Sequence, residues 1–434
     1  MILDYYLKKF SFYKPLIKEK NLRGADLIVT IPVYREEEKN ILRLLESLLK
    51  AYKKEFKIEI IFLINEPENE KKEIVERHEK IIKKLKELKK EIETENLRIY
   101  SIYLKDIPLK KFGIGYARKV LCDEAIWRLK GFNNSKGVIS CLDADCTVKE
   151  NYFEEIIKIF KETKTEFSHI YFEHPYHNIE DEKLKKGIVY YELFLRFYKN
   201  SLLFSDYPYV SYTIGSCLVF RAETYARFGG FKAKRKAGED FYFVQKILPN
   251  VRFTEITETK IFPSARISER VPFGTGKALK DFIEDKEKFY YTIPFEPFRD
   301  LKHLKNFIKG EIGLKELPLS LREFFLKEKG IKKIMEIERK TFNRKSYVKN
   351  FYLWFNLLKV WRYLRFCVNE KIYKKGKIDE SVRELLKEIK VEGNFTDLED
   401  SPEKLLESLR KYDIKNRIKD KNMFDEFYKK WIRE

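Results

Sequence analysis

The sequence is poor in cysteine, and its few cysteines do not form a recognisable framework. Only five of the 434 residues are cysteine, and no two of them make a C-x-x-C pair. Cys141 and Cys146 flank an acidic triplet, and Cys217 lies in an apolar run. We therefore expect buried free thiols in a reducing compartment, because a disulfide scaffold needs paired spacings.

Long apolar runs are absent as well. No window of 18 residues is both apolar and uncharged, which argues against a membrane-spanning helix. The first 20 residues lack the order and the cleavage site of a signal peptide. The nearest approach to a span is the aromatic-rich stretch 350–368, which Lys359, Arg362 and Arg365 interrupt. We expect a buried helix there, with a helix lying on a membrane surface as the alternative.

Common catalytic motifs are also missing. Without a G-x-x-x-x-G-K-[ST] loop an ATPase is not expected, and without a G-x-S-x-G elbow a serine hydrolase is not supported. His169, His174 and His177 lie close together in the sequence, but no cysteine or carboxylate pattern completes a zinc site around them. We interpret them as residues at the end of a strand, bordering a cleft.

Positive charge is what the sequence has in excess. The formal net charge is +21, and residues 301–434 contribute 34 basic and 22 acidic side chains. Such a balance favours an anionic partner, which can be nucleic acid, a phosphorylated substrate or an acidic membrane face. A solvated surface in a lysine-rich chain is the alternative. Hydrophobic residues make up 44% of the chain, which is enough for a core.

Strand and helix patterns alternate along the first part of the chain. Apolar runs predict strands at 27–32, 58–64, 97–104, 138–142, 167–172 and 215–220. Helical periodicity predicts helices at 36–54, 69–95, 113–129, 151–160, 183–204 and 237–247. This order predicts a doubly wound α/β domain over residues 25–275. A helical segment over residues 1–24 is predicted before it, and a basic, mainly α-helical region over residues 276–434 after it.

An acidic triplet follows the fourth predicted strand, where residues 138–146 read VISCLDADC. Alternate side chains of an extended segment share a face, so Asp143 and Asp145 can point toward one site. Their carboxylates suit Mg²⁺ or Mn²⁺, which also bind diphosphate oxygens. A solvated turn or a helix N-cap is the alternative interpretation.

A second acidic pair, Glu239 and Asp240, opens the helix predicted from residue 237. Carboxylates at this position ordinarily cap a helix. The functional alternative is a general base that takes the proton of a sugar hydroxyl. Between the two acidic motifs, residues 212–231 carry small residues and end in a Gly-Gly pair that allows close backbone approach.

In this order, the motifs resemble those of the inverting family 2 glycosyltransferases with a GT-A fold. The matching segments are 30–36 (TIPVYRE), 113–119 (GIGYARK), 143–145 (DAD), 215–216 (GS) with 228–231 (FGGF), and 238–240 (GED). The resemblance covers roughly residues 25–275. It implies a Rossmann-like, mostly parallel mixed sheet flanked by helices, with the helical C-terminal region as an extension.

The resemblance also implies a site, with a UDP-sugar as the favoured donor and Mn²⁺ or Mg²⁺ as the cofactor. It makes Asp145 the principal metal ligand, with Asp143 beside it, Asp240 the catalytic base, and Glu239 a residue that orients the acceptor. The implied contacts to the donor nucleotide are Pro32, Tyr34, Glu36, Asn65, Glu66, Arg118 and Asp143. The family usually ends its second strand with an acidic residue, whereas this chain has Asn65 and Glu66 there.

A polar, basic and glycine-bearing loop covers residues 264–277. Arg266, Arg270 and Lys277 are candidates for covering the diphosphate when such a loop closes, with Arg270 leading. An ordinary surface loop is the alternative.

The absence of a Q-x-x-R-W motif and of paired spans predicts transfer of one sugar at a time to a glycan or a lipid-linked acceptor. We expect a cytoplasmic enzyme with peripheral contact at the inner face of the membrane, acting in cell-surface glycan or glycolipid synthesis, and nucleic acid is not an expected partner. One alternative is a sugar nucleotidyltransferase, although the glycine-rich loop it needs is missing after the first strand. The other is a non-catalytic basic scaffold that binds anionic lipid or nucleic acid through residues 280–434.

Overall fold

A computed structural model describes residues 2–19, 24–233, 238–268, 274–284, 290–391 and 401–433. Within these residues a nine-stranded sheet takes all but its last strand in sequence from the first part of the chain, and two further strands pair separately from it. The strands are β1 (Leu27–Val33), β2 (Ile58–Pro67), β3 (Leu97–Ile107), β4 (Val138–Cys141), β5 (Thr147–Val148), β6 (Phe167–Phe172), β7 (Leu218–Arg221), β8 (Arg252–Phe262), β9 (Tyr291–Thr292), β10 (Gly376–Lys377) and β11 (Lys421–Asn422).

Helices occur on both faces of this sheet and make up most of the C-terminal region. They are α1 (Ile2–Phe10), α2 (Glu38–Ala51), α3 (Lys72–Ile92), α4 (Ile114–Lys130), α5 (Tyr152–Glu162), α6 (Glu182–Phe204), α7 (Ala222–Arg227), α8 (Glu239–Ile247), α9 (Thr275–Glu284), α10 (Glu296–Leu301), α11 (His303–Lys309), α12 (Leu319–Lys327), α13 (Gly330–Arg339), α14 (Arg344–Trp354), α15 (Leu357–Asn369), α16 (Ile378–Glu388), α17 (Pro402–Lys415) and α18 (Met423–Arg433). None of the described helices combines the length and the apolarity needed to cross a bilayer.

The order of strands in the sheet is β11-β8-β6-β7-β4-β1-β2-β3, with β5 paired to β8. Strands β3, β2, β1 and β4 are parallel to one another, whereas β7 runs antiparallel between β4 and β6. In register, Thr30 of β1 lies opposite Cys141 of β4, and Val33 lies opposite Ile64 of β2. The carboxyl ends of β1, β2 and β4 therefore meet at one edge of the sheet.

Strands β1, β2 and β4 are buried on both faces, which explains why they read as nearly continuous apolar runs. Leu27, Val29 and Ile31 of β1 pack in one core cluster with residues of α2 and α5. Ile28 faces the other cluster, which contains residues of α1, α4, α6 and the C-terminal helices. The predicted fold class is confirmed, because a mixed α/β sheet lies between helices and a mainly helical C-terminal region follows.

Three segments differ from their predicted structure. The strand predicted at 215–220 begins only at Leu218, because Gly215–Cys217 forms a 3₁₀ turn. The stretch 350–368 is divided between α14 and α15, where the Asn356 side chain accepts the Lys359 N–H at 3.2 Å and caps the second helix. Strand β8 was not predicted at all.

A buried network of charged side chains joins α17 to α6. Asp413 accepts hydrogen bonds from Arg196 Nη1 at 2.5 Å and from Tyr212 Oη at 2.7 Å. Arg410 donates to the two carboxylate oxygens of Glu192 at 2.8 and 2.9 Å. The C-terminal helices thus share a core and an ion network with the sheet region, while the division of the chain at residue 275 stays a prediction.

Candidate active site

The residues that follow β1 and β4, and those at the end of β2, lie at the shared carboxyl edge of the sheet. Asp143 and Asp145 follow β4, Glu36 follows β1, and Asn65 lies near the end of β2. Pro32 lies within β1, opposite Leu63. Ligands of open α/β sheets bind at this edge. The fold therefore gathers here residues that are far apart in the sequence.

Arg118, near the beginning of α4, is a buried cation at the centre of this edge. Its Nη2 lies 2.6 Å from Asp143 Oδ1, and its Nη1 donates to Glu239 Oε1. Burial alone would lower the pKa of the guanidinium, but Asp143 and Glu239 hold this pKa well above its ordinary value. We call Arg118, Asp143 and Glu239 the Arg118 cluster, which links the two acidic motifs found in the sequence.

Two glycines make room for the Arg118 cluster. A Cβ atom on Gly215 would lie 2.3 Å from Arg118 Nη1, and one on Gly115 would lie 3.1 Å from Glu239 Cβ. The small residues in the segments 113–119 and 215–216 thus have a physical role. They let α4, the 3₁₀ turn and α8 approach one another around the guanidinium.

Gly215→Ala is expected to displace the Arg118 guanidinium, because the new methyl group would overlap it. We expect the free energy of unfolding to fall by about 1–3 kcal/mol, which is the usual cost of overpacking a core. Denaturant unfolding measures this loss. Gly313→Ala is the matched control, since its Cβ would meet nothing closer than 3.4 Å and its φ is −87°. Equal losses in the two variants would contradict the crowding at Gly215.

Asp240 is half-buried at the beginning of α8, next to Glu239. Its Oδ1 accepts the Phe241 N–H at 2.7 Å. Burial, followed by the charge of Glu239, raises the pKa of Asp240 to about 7. A carboxylate with a pKa near neutrality is suited to taking a proton from a hydroxyl group. Oε1 of Glu239 accepts a hydrogen bond from Arg118. Its Oε2 is buried without a hydrogen-bond partner in the described part of the chain.

Arg266 connects Asp145 to Glu36 beside the Arg118 cluster. Its Nε lies 2.8 Å from Asp145 Oδ2, and its Nη2 donates to Glu36 Oε1. Burial, followed by the charge of Asp145, raises the pKa of Glu36 to about 7. Of the two basic loop candidates that the structure describes, Arg266 is the one that contacts the acidic triplet.

The other two basic residues of the predicted loop are not found at the acidic triplet in the described structure. Arg270 lies outside the described residues. Lys277 lies in α9, where its Nζ pairs with Asp281 one turn further on. Among the described contacts, none joins Lys277 to Asp143 or Asp145, so its assignment to the diphosphate stays a prediction.

The predicted nucleotide residues at the end of β2 differ in their partners. Glu66 is buried and is held by His78 Nδ1 at 2.9 Å and by Tyr103 Oη at 3.1 Å. Asn65 is also buried, but its Oδ1 lacks a hydrogen-bond partner within the described residues. Because an unpartnered buried acceptor costs free energy, Asn65 is the better candidate for a ligand contact.

Tyr34 follows β1 and is half-buried. Its hydroxyl donates to Glu70 at 2.8 Å, and Arg35 also binds Glu70 at 2.6 Å. The ring of Phe112 lies edge-on to Tyr34, with 4.7 Å between the centroids. These contacts fix the Tyr34 ring beside the edge where Glu36 and Asn65 lie.

The three histidines singled out in the sequence have separate surroundings. His174 Nδ1 contacts Glu192 at 2.9 Å within the network that joins α6 and α17. His169 is buried, and burial followed by the charge of Lys199 lowers its pKa to about 3. His177 lies beside the ring of Tyr176.

The two carboxylates of the acidic triplet suit a cation whose remaining ligands come from a substrate. Among the described residues, no group of three or more His, Cys, Asp or Glu is arranged to hold a metal ion. The side chains of Asp143 and Asp145 keep exposed fractions of 35% and 20%. Mg²⁺ is commonly held by one or two carboxylates together with substrate phosphates and water. Two accessible carboxylates fit that donor set.

No protein-family model and no curated protein matches the chain. Similar solved structures include Staphylococcus aureus TarS 1–349, at 14% identity and a TM-score of 0.38, covering 69% of this chain and 85% of that one. The same TarS segment in complex with UDP-GlcNAc matches at 13% identity and a TM-score of 0.36, covering 69% and 86%. GalNAc-T7 with UDP, GalNAc and Mn²⁺ matches at 13% identity and 0.35, covering 68% and 52%. At these identities and TM-scores, likeness alone assigns no function.

Proposed function

We propose that the protein is an inverting, metal-dependent glycosyltransferase of the GT-A type, resembling family 2, that transfers one sugar from a nucleotide-sugar to an acceptor hydroxyl. The observation that carries this proposal is the Arg118 cluster. A single buried guanidinium joins Asp143, at the carboxyl edge of the sheet, to Glu239, the neighbour of Asp240. A candidate diphosphate site thus lies one side chain away from a candidate base.

The donor would lie along the carboxyl edge of β1, β2 and β4. Asn65 Oδ1, which lacks a partner in the described part of the chain, would accept a nucleobase N–H such as that of uracil. We propose a UDP-sugar as the donor. Asp145 and Asp143 would hold Mn²⁺ or Mg²⁺, and a cation there would neutralise charge on the leaving diphosphate. The Arg266 guanidinium would move from Asp145 to phosphate oxygens, which it can bind in a bidentate manner.

The acceptor would react on the side of α8. Asp240 would take the proton of the acceptor hydroxyl as its oxygen attacks the anomeric carbon. The bond from that carbon to the diphosphate oxygen breaks on the opposite face, so the configuration at the carbon inverts. Glu239, fixed by Arg118, would orient the hydroxyl beside Asp240. The acceptor is proposed to be a glycan or a lipid-linked sugar.

Asp145→Ala is expected to remove the metal-dependent part of nucleotide-sugar binding, because the variant lacks the principal carboxylate ligand. The measurement is thermal unfolding with UDP-, GDP- and CMP-sugars, each with and without Mn²⁺. The wild-type protein is expected to unfold at a higher temperature with one donor class, and further so with Mn²⁺.

Glu162→Ala is the control for this variant, since Glu162 is an exposed carboxylate at the end of α5. It should keep the full Mn²⁺-dependent shift. The metal assignment would be refuted by an Asp145→Ala protein that also keeps the full shift.

A further inference from the structure

A cavity of about 350 Å³ lies where α8 meets the C-terminal helices. Its lining includes Glu239 of the Arg118 cluster, and also Tyr352 and Asn356 from the C-terminal region. The volume falls within the range of small-molecule sites. The cavity therefore shares one carboxylate with the candidate active site, and residues beyond the predicted α/β domain form part of its lining.

Two buried polar groups in this lining lack hydrogen-bond partners among the described residues. They are Glu239 Oε2 and Tyr209 Oη, on residues that are 2% and 4% exposed. Leaving such groups unsatisfied costs free energy, which makes them candidates for hydrogen bonds to a ligand in the cavity. A carboxylate oxygen and a phenol together match a ligand that carries hydroxyl groups.

The cavity is also rich in aromatic side chains. Tyr207, Tyr209, Tyr242 and Tyr352 line it, and Tyr242 is 38% exposed. Rigid rings with an apolar body and a polar tip suit a ligand that has both C–H faces and hydroxyl groups. A sugar ring has both.

Two lysines, Lys232 and Lys246, also belong to the lining and bring positive charge to it. Lys246 Nζ donates to the carbonyl of Phe228, and no described carboxylate pairs with either lysine. Burial, followed by the charge of Lys232, lowers the pKa of Lys246. Two ammonium groups this close, without a counterion among the described residues, favour an anionic ligand.

We infer that this cavity binds the acceptor, and that the acceptor is a sugar carrying an anionic group such as a phosphate or a carboxylate. The inference rests on the proposed function, since it makes the cavity the acceptor side of the same active site. Glu239 and Tyr209 bind hydroxyl groups of the sugar, the tyrosine rings pack on its faces, and Lys232 and Lys246 bind the anion. The C-terminal helices α14 and α15 are then part of the substrate site.

The test compares two probes, methyl glucoside and its 6-phosphate, binding to the full chain in the presence of UDP by ligand-observed NMR. The phosphorylated probe is expected to bind at least about tenfold more tightly, which corresponds to the gain from charge-assisted hydrogen bonds. Changing Lys232 and Lys246 together to Ala is expected to remove that preference. Tyr209→Phe is expected to weaken both probes, because it deletes the hydroxyl alone.

Changing Lys83 and Lys86 together to Ala is the matched control, because these exposed lysines on α3 carry the same charge away from the cavity. The control protein should keep the preference for the phosphorylated probe. Equal binding of the two probes to the wild-type protein, no binding of either, or an equal loss in the control would overturn the inference. Thermal unfolding of the wild-type protein with nucleotide-sugars, with and without Mn²⁺, tests the proposed function separately. If no nucleotide-sugar binds while the phosphorylated probe does, the proposed function is wrong and the anion-binding cavity stands.

Discussion

Asp240→Asn is expected to lower the kcat of sugar transfer by about 10²–10⁴-fold, the usual contribution of a general base, while donor affinity changes little. The amide has nearly the same size, and its oxygen can still accept the Phe241 N–H that Asp240 Oδ1 accepts at 2.7 Å. It cannot take a proton from the acceptor. Initial rates at saturating donor, together with calorimetric titration of the donor, measure the two quantities separately.

The pH profile gives a second readout of the same group. Burial and the charge of Glu239 raise the pKa of Asp240 to about 7, so its ionised form is lost as the pH falls through that value. We expect kcat/KM of the wild-type enzyme to rise about tenfold per pH unit below this pKa and to level off above it. Residual activity of Asp240→Asn should lack this rise.

The raised pKa also has a consequence for stability. Because the folded pKa exceeds the unfolded value of about 3.9, the native state loses stability as the pH rises between the two values. Above the folded pKa, the full loss of native-state stability from ionising Asp240 is present. Asp240→Asn, which carries no charge there, is therefore expected to be at least as stable as the wild type at about pH 8.

Glu162→Gln is the control for the same chemical change at an exposed site on α5. It should keep wild-type rates and the wild-type pH profile. Full activity in Asp240→Asn would show that another group is the base, and Glu239 would then be the next candidate.

Asp413→Ala is expected to lower the free energy of unfolding by about 3–5 kcal/mol, the cost of breaking a buried ion pair from one side. Asp413 lies 2.5 Å from Arg196 and 3.2 Å from Lys199, and both of these side chains are almost fully buried. Burial alone would raise the pKa of Asp413, but Lys199 and Arg196 hold this pKa below its ordinary value. Truncation leaves two buried cations with too little negative charge.

Urea unfolding followed by circular dichroism and tyrosine fluorescence measures this loss. Asp425→Ala is the matched control, because Asp425 pairs with Lys345 at 2.9 Å where both side chains are about half exposed. Exposed pairs contribute about 0–1 kcal/mol, so little change is expected. A similar small change in Asp413→Ala would contradict the buried network that joins α17 to α6.

The sequence predicts the parallel part of the sheet well for a physical reason. Strands β1, β2 and β4 are covered on both faces, so they read as nearly continuous apolar runs with recognisable ends. Strand β8 reads RFTEITETKIF, in which residues 257–260 are four consecutive polar residues. It has neither an apolar run nor a regular alternation, so the sequence does not predict it. The break between α14 and α15 depends on the cap made by Asn356. The sequence does not reveal this break, because the helical periodicity continues on both sides of it.

The candidate site is predicted only in part. The acidic motifs are visible because each is local in the sequence. The hydrogen bonds that link these motifs are not visible in the sequence, because Arg118 is 25 residues from Asp143 and 121 from Glu239. The cavity beside Glu239 also depends on the fold, which brings Tyr209 next to Tyr352 from the C-terminal region. No spacing rule connects residues at such distances.

A crystal structure with Mn²⁺ and the nucleotide-sugar that gives the largest thermal shift tests the central claim most directly. The account predicts the cation between Asp145 and the diphosphate, Arg266 moved from Asp145 to phosphate oxygens, and the anomeric carbon facing Asp240. A nucleotide bound elsewhere would contradict it. So would a site without a cation in which the side chains of Asp143 and Asp145 face water.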